Sequence, residues 1–274
     1  MKKAAGKIWL VSLLIILMNY QHATALPYAN RAITLAAGSL RFDGAPSDFG
    51  LQNSGLIGNN RGFRIHRGEA QTDTAFGLGL SYGITSAFEI GALLLDMTVT
   101  PEANWRSNAL YARYGLLRGR QHVALQLTGI RPDMGQYGVG VAIPILLHMG
   151  QHGRLDTGVE VESLFGMQVA NVGTDESRQN RTQVNIDVPV AFSYNMTDRF
   201  FSGFFSGLFV PNRAFDHMRF PLGVQGGYLM ADGDLDILIS LSLERFVELG
   251  EKNPFHIREF LFNVGISYRF DLID

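Results

Sequence analysis

The first candidates for acid–base chemistry are the histidines beyond residue 25: His66, His122, His148, His152, His217 and His256. A hydrolytic site needs a nucleophile, a base within hydrogen-bond reach and a group that orients the base. Asp216 and His217 are neighbours in sequence, so in an extended chain their side chains leave by opposite faces. His122, His148 and His152 fall beside short linkers. His66, His217 and His256 fall in longer ones, where a solvated imidazole is the ordinary outcome. No stretch has the spacing of a calcium loop, a zinc site or a glycine loop that cradles phosphate. Catalytic residues, metal ligands and cofactors are therefore all assigned as none. The chain has no cysteine, which removes thiol chemistry as well.

A different set of charges follows a rule. Arg113, Glu160, Glu162, Asp187, Arg219, Asp236, Glu244, Asn263 and Arg269 all sit on the polar parity of segments in which every second residue is apolar. Around Asp187, Val184, Ile186, Val188, Val190, Phe192 and Tyr194 alternate with Asn185, Asp187, Pro189, Ala191 and Ser193. At the end of the chain Phe260, Phe262, Val264, Ile266, Tyr268 and Phe270 alternate with Leu261, Asn263, Gly265, Ser267 and Arg269. Alternation of period two over about ten residues is the pattern of a strand with two unlike faces.

About twelve such strands are expected, near 32–42, 74–84, 87–99, 107–118, 121–131, 137–148, 154–166, 182–195, 199–210, 219–231, 234–244 and 257–270. Between them short linkers alternate with long ones. The short ones lie near 85–86, 119–120, 149–153, 196–198 and 232–233; the long ones span 43–73, 100–106, 132–136, 167–181, 211–218 and 245–256. Tight turns at one end and longer loops at the other are the habit of transmembrane β-barrels. The first long linker carries Arg61, Arg64, His66 and Arg67, read as a solvated loop that could also fold into the mouth or touch lipopolysaccharide phosphates.

Composition agrees. Charged residues make up 18% of the chain, below the roughly 25% usual for soluble domains, and there are 31 glycines. A net charge of -2 provides no basic field for nucleic acid, which is excluded as a partner. Lys2, Lys3 and Lys7 precede an apolar run from Ile8 to Met18, and Ala23-Thr24-Ala25 supplies a small-x-small site. That is the layout of a secretory signal peptide over residues 1–25, which leaves 26–274 as a single barrel domain.

Energy decides which face meets lipid. A basic side chain on the lipid face costs about 2–4 kcal/mol at the midplane, and the polar parity would incur several such costs. The apolar parity is therefore expected outside and the charged parity inside. A soluble β-sandwich or lipocalin-like barrel would reverse this. Two segments resist the rule: Phe200–Val210 is apolar on both parities and Glu89–Val99 nearly so, and one of them is expected to flank a plugged region.

The whole chain after residue 25 resembles a bacterial outer-membrane β-barrel. The resemblance rests on the leader, on the hairpins Gly77–Gly91 and Ser193–Phe200, and on the final strand. The hairpin turns are similar to those of outer-membrane transporters of the meta-pathway phenol-degradation type. The last strand resembles the signal read by the barrel-assembly machinery, although Asp271-Leu272-Ile273-Asp274 follow its aromatic end. The resemblance implies a Gram-negative outer-membrane location, with membrane lipid, lipopolysaccharide and the assembly machinery as partners.

The resulting expectation is a passive channel for small solutes, with the nine inward residues lining its lumen. The abundance of inward Gly, Ala and Ser tilts the reading towards an open path. The alternatives are a closed structural or surface-recognition barrel that binds through its loops, and a barrel lipase or protease.

Overall fold

The computed structural model describes residues 28–44, 62–67, 72–100, 104–105, 108–131, 137–168, 180–230, 234–251, 254–255, 257 and 260–272. Side chains within 43–44, 62–75, 94–108, 167–181 and Glu244 are outside that description. The expected leader, residues 1–25, lies outside the described residues too.

The described chain forms β1 (Ser39–Gly44), β2 (Gly62–Arg67), β3 (Thr72–Thr85), β4 (Phe88–Thr100), β5 (Asn104–Trp105), β6 (Asn108–Leu117) and β7 (Gln121–Arg131). It continues through β8 (Tyr137–Met149), β9 (Gly153–Gln168), β10 (Asn180–Asn195), β11 (Phe200–Val210), β12 (Arg219–Met230), β13 (Leu235–Glu248) and β14 (Phe260–Asp271). Pairing is antiparallel throughout: β3 with β4, β4 with both β5 and β6, and consecutive strands with each other from β6 through β14. β14 closes the ring by pairing with β1 and β2, which pair in turn with β3. The wall has twelve staves, the number the alternation predicts.

The closing stave is built in two pieces. β1 runs from Ser39 opposite Asp271 to Gly44 opposite Ile266, and β2 resumes with Phe63 opposite Val264. The chain thus leaves the stave after Gly44 and rejoins it at Gly62. This corrects the expected 43–73 loop: Arg64, His66 and Arg67 belong to β2, while Arg61 lies outside the described residues. Only Phe63 and Ile65 carry the apolar alternation there, too few to reveal a strand among basic residues.

Parity is as expected. On β8, Val139, Val141 and Ile143 are exposed while Gly138, Gly140 and Ala142 are buried; Val141 is 46% exposed and Ala142 2%. Leu110, Val159, Val161, Val190, Val224, Ile239, Leu241 and Ile266 continue the outer apolar surface around the wall. Tyr114, Tyr194, Phe200 and Tyr228 are exposed close to the short-turn end. A contiguous exposed apolar band of this kind suits a hydrocarbon surround and excludes the soluble alternative, which needs the apolar parity inside.

Residues 32–38 correct a second expectation. The alternation predicts that a strand starts at residue 32, but β1 begins at Ser39. A 3-10 turn at Tyr28–Asn30 and the residues after it, which bend at Ile33–Thr34 and turn at Ala37–Gly38, form a strap packed inside the barrel. Ile33 and Leu35 alternate because their side chains enter the barrel interior, where Ile33 packs with Ala124 and Leu146. The strap ends at Gly38, whose φ of 78° is a backbone state that favours glycine. Its amide donates to Gly83 O at 2.7 Å.

Candidate functional site

The short-turn end of the barrel is where strap and wall meet. The Tyr28 ring stacks on Phe201 of β11, with centroids 3.9 Å apart and planes 7° from parallel. Phe201, Phe205, Ala191, Leu229 and Leu238 complete a buried cluster around it. Gly227 makes this possible, since a Cβ there would meet the Phe201 ring at 2.5 Å. The two-sided apolarity of Phe200–Val210 thus has a cause: Phe200 and Phe204 face out, while Phe201 and Phe205 face the strap.

Polar groups hold the rest of the strap. Asn195 Oδ1 accepts from Ala29 N at 3.0 Å, and His148 Nδ1 donates to Ala29 O at 2.8 Å. Arg154 sits over the Tyr28 ring at 5.2 Å and pairs with Asp156 at 2.7 Å. Arg31 grips Asp236 with two hydrogen bonds, 2.6 and 2.9 Å, while Arg269 Nη2 reaches the same carboxylate at 2.7 Å. Arg113 Nη1 donates to Ile33 O at 2.7 Å.

Glu89, fully buried, is the second anchor. Its Oε2 accepts from Leu35 N at 2.8 Å and its Oε1 from Tyr111 OH at 2.5 Å. Arg41 and Arg113 lie 3.8 and 3.9 Å from Oε1. The named backbone groups of Ala29, Ile33 and Leu35 therefore bond to wall side chains, and Gly38 bonds to backbone, as a buried non-sheet segment requires. The end of the chain contributes as well: Leu272 N donates to Gly38 O at 2.9 Å, and the Ser39 hydroxyl donates to Asp271. The residues after Phe270 thus fasten the strap's exit.

The nine residues singled out by parity fall at several levels of the wall strands. Asp236 and Arg269 meet at the short-turn end, and Arg113 stands beside the strap. Glu160, Glu162 and Asp187 lie together on β9 and β10, where Asp187 is opposite Glu160 in the ladder. Asn263 is buried on β14 opposite Ser240. Arg219 pairs with Glu248 at 3.0 Å near the long-loop end. Glu244 belongs to β13, with its side chain outside the described residues.

Sequence reading missed Arg31, Arg41, Glu89, Arg154, Asp156 and Glu248 as parts of paired clusters. The available signal was Glu89 and Arg113, whose facing positions follow from the β4–β6 hairpin register. The strap packs inside the wall at the short-turn end, a segment that the expectation of an open lumen from small inward residues did not include. Beside the strap's first turn, a cavity of about 410 Å³ is lined by Asn30, His148, Gly150, Gln151, His152, Asn195 and Asp198. His217 lies 3.8 Å from Asp216, with both side chains at least half exposed. His66 is in β2, and His256 is outside the described residues.

No protein-family model matches the sequence, and no curated protein sequence matches it. Solved structures do. An outer membrane channel from Pseudomonas putida F1 aligns with a TM-score of 0.54 at 10% identity, over 88% of this chain and 98% of that one. The NanC porin aligns at 0.53 and 12% identity, over 75% and 98%. The KdgM porin aligns at 0.52 and 8% identity, over 85% and 99%. At these identities the likeness concerns the fold, and the fold is that of bacterial outer-membrane β-barrels.

Proposed function

We propose that the protein is an outer-membrane channel for small solutes whose periplasmic mouth is controlled by residues 28–38. The observation that carries this is a closed twelve-stave wall with an apolar exterior, a charged interior and an inner segment held by side chains instead of sheet pairing. Short turns face the periplasm in barrels of this type, so the strap lies on that side. The leader, if cleaved after Ala25, leaves the mature chain only Leu26 and Pro27 ahead of the strap. The resemblance of the hairpin turns to phenol-degradation-type transporters supports the same transport class. So does the solute transport implied by the names of the porin neighbours, one of which was solved in complex with disordered oligogalacturonate.

Liposome swelling tests the reading. Vesicles containing the refolded mature chain should admit small solutes slowly, and vesicles containing a chain that lacks residues 28–38 should admit them faster. A second reading, a closed structural barrel, draws on the same strap. It would be favoured if neither protein made the vesicles permeable while both migrated as folded barrels on unheated gels.

A further inference from the structure

Most charges inside the barrel are neutralised where they stand. Asp236 lies between Arg31 and Arg269, Glu89 beside Arg41 and Arg113, Asp156 against Arg154, and Glu248 beside Arg219. Glu162 of β9 and Asp187 of β10 differ. Asp187 faces Glu160 and Asn185 faces Glu162 in the ladder, so three acids occupy two successive inward rungs. Asp187 is 2% exposed, and neither of its carboxylate oxygens has a hydrogen-bond partner. Glu162 accepts one bond, from Asn185 Nδ2 at 3.3 Å, and its other oxygen has none. Among the described residues neither Asp187 nor Glu162 takes part in an ion pair.

A buried carboxylate without a partner is unfavourable through desolvation, and a second acid beside it adds like-charge repulsion. A bound cation relieves both. Gly140 and Ala142 of β8 stand opposite Glu162 and Glu160, and the Glu160 carboxylate lies over Gly140, where a Cβ would meet its Oε1 at 3.4 Å. Among the described residues no three His, Asp or Glu groups are placed to hold a metal ion. The oxygens without partners carry negative charge and accept hydrogen bonds. A primary ammonium group, compact and carrying three donors, matches them.

We infer that Glu160, Glu162 and Asp187 form a cation-binding constriction that passes small ammonium solutes and alkali cations in preference to anions. Rings of Asp and Glu are the usual device of cation-selective pores. The inference rests on the channel reading and specifies its solute class. It also sets this lumen apart from one suited to a polyanion.

The test compares the refolded mature chain with a Glu160→Gln, Glu162→Gln, Asp187→Asn variant, both shown to be folded by migration on unheated gels. Reversal potentials in KCl and methylammonium chloride gradients should show cations several-fold more permeant than chloride in the wild type. The variant should lose that preference. A parallel heat-unfolding series should show methylammonium, against KCl at equal ionic strength, raising the unfolding temperature of the wild type only. A conducting wild type without cation preference, or a preference that survives in the variant, overturns the inference and leaves the channel standing. An absence of conductance removes the channel reading, and equal methylammonium shifts in the two proteins then overturn the site as well.

Discussion

Arg31 binds Asp236 through two hydrogen bonds of 2.6 and 2.9 Å, joining a segment inside the barrel to the first rungs of the wall strand β13. The same carboxylate takes Arg269 from β14, so one acid serves both barrel closure and strap retention. Strap position and wall register are thereby coupled.

Arg31→Ala should free the strap while leaving the wall intact, because Asp236 keeps Arg269. A charged hydrogen-bonded contact is worth about 1.5–3 kcal/mol, so strap opening should become roughly ten- to a hundred-fold more frequent. Hydrogen exchange at the amides of Ala29 and Leu35 reads this directly, since each bonds to a wall side chain. Unchanged exchange would mean that the Arg31 pair does not hold the strap.

Gly227→Ala should act at a distance from the strap's own residues. The added methyl would press on the Phe201 ring and disturb its stack with Tyr28. Overpacking of this kind costs about 1–3 kcal/mol. Protease cleavage within residues 28–38 should rise, while migration as a folded barrel is kept.

Glu89→Ala should be the more damaging change. It leaves Arg41 and Arg113 beside an emptied position and removes the acceptor of Leu35 N. Loss of one partner of a buried ion pair costs about 3–5 kcal/mol. The heat-induced gel shift should move to lower temperature, and Glu89→Gln, which keeps an acceptor, should recover part of the loss.

Ile239→Arg tests the lipid-facing surface. Ile239 is 49% exposed on the outer parity of β13. In vesicles the arginine should cost about 2–4 kcal/mol in urea unfolding if the position lies near the midplane. A soluble barrel would register within about 0.5 kcal/mol, as exposed surface substitutions do.

Much of this architecture is legible in the sequence, and particular residues show why. The β10 alternation from Val184 to Tyr194 places Asp187 and Ser193 inside, and the β13–β14 register leads from sequence to the Asp236–Arg269 pair. β2 was hidden because Arg64, His66 and Arg67 outnumber its apolar residues. The strap was hidden for a different reason: Ile33 and Leu35 have the alternation of a strand, and only an enclosing wall distinguishes an inner segment from a stave. Its one trace was the second apolar face of β11, where Phe201 and Phe205 had no evident partner until Tyr28 supplied it.

The most direct test of the account is single-channel recording in planar bilayers, comparing the refolded mature chain with the chain lacking residues 28–38 and with Arg31→Ala. The account predicts small or infrequent conductance steps for the intact chain, larger or longer steps without the strap, and intermediate behaviour for Arg31→Ala. No conductance from any of the three folded proteins, or identical steps from all, would contradict it.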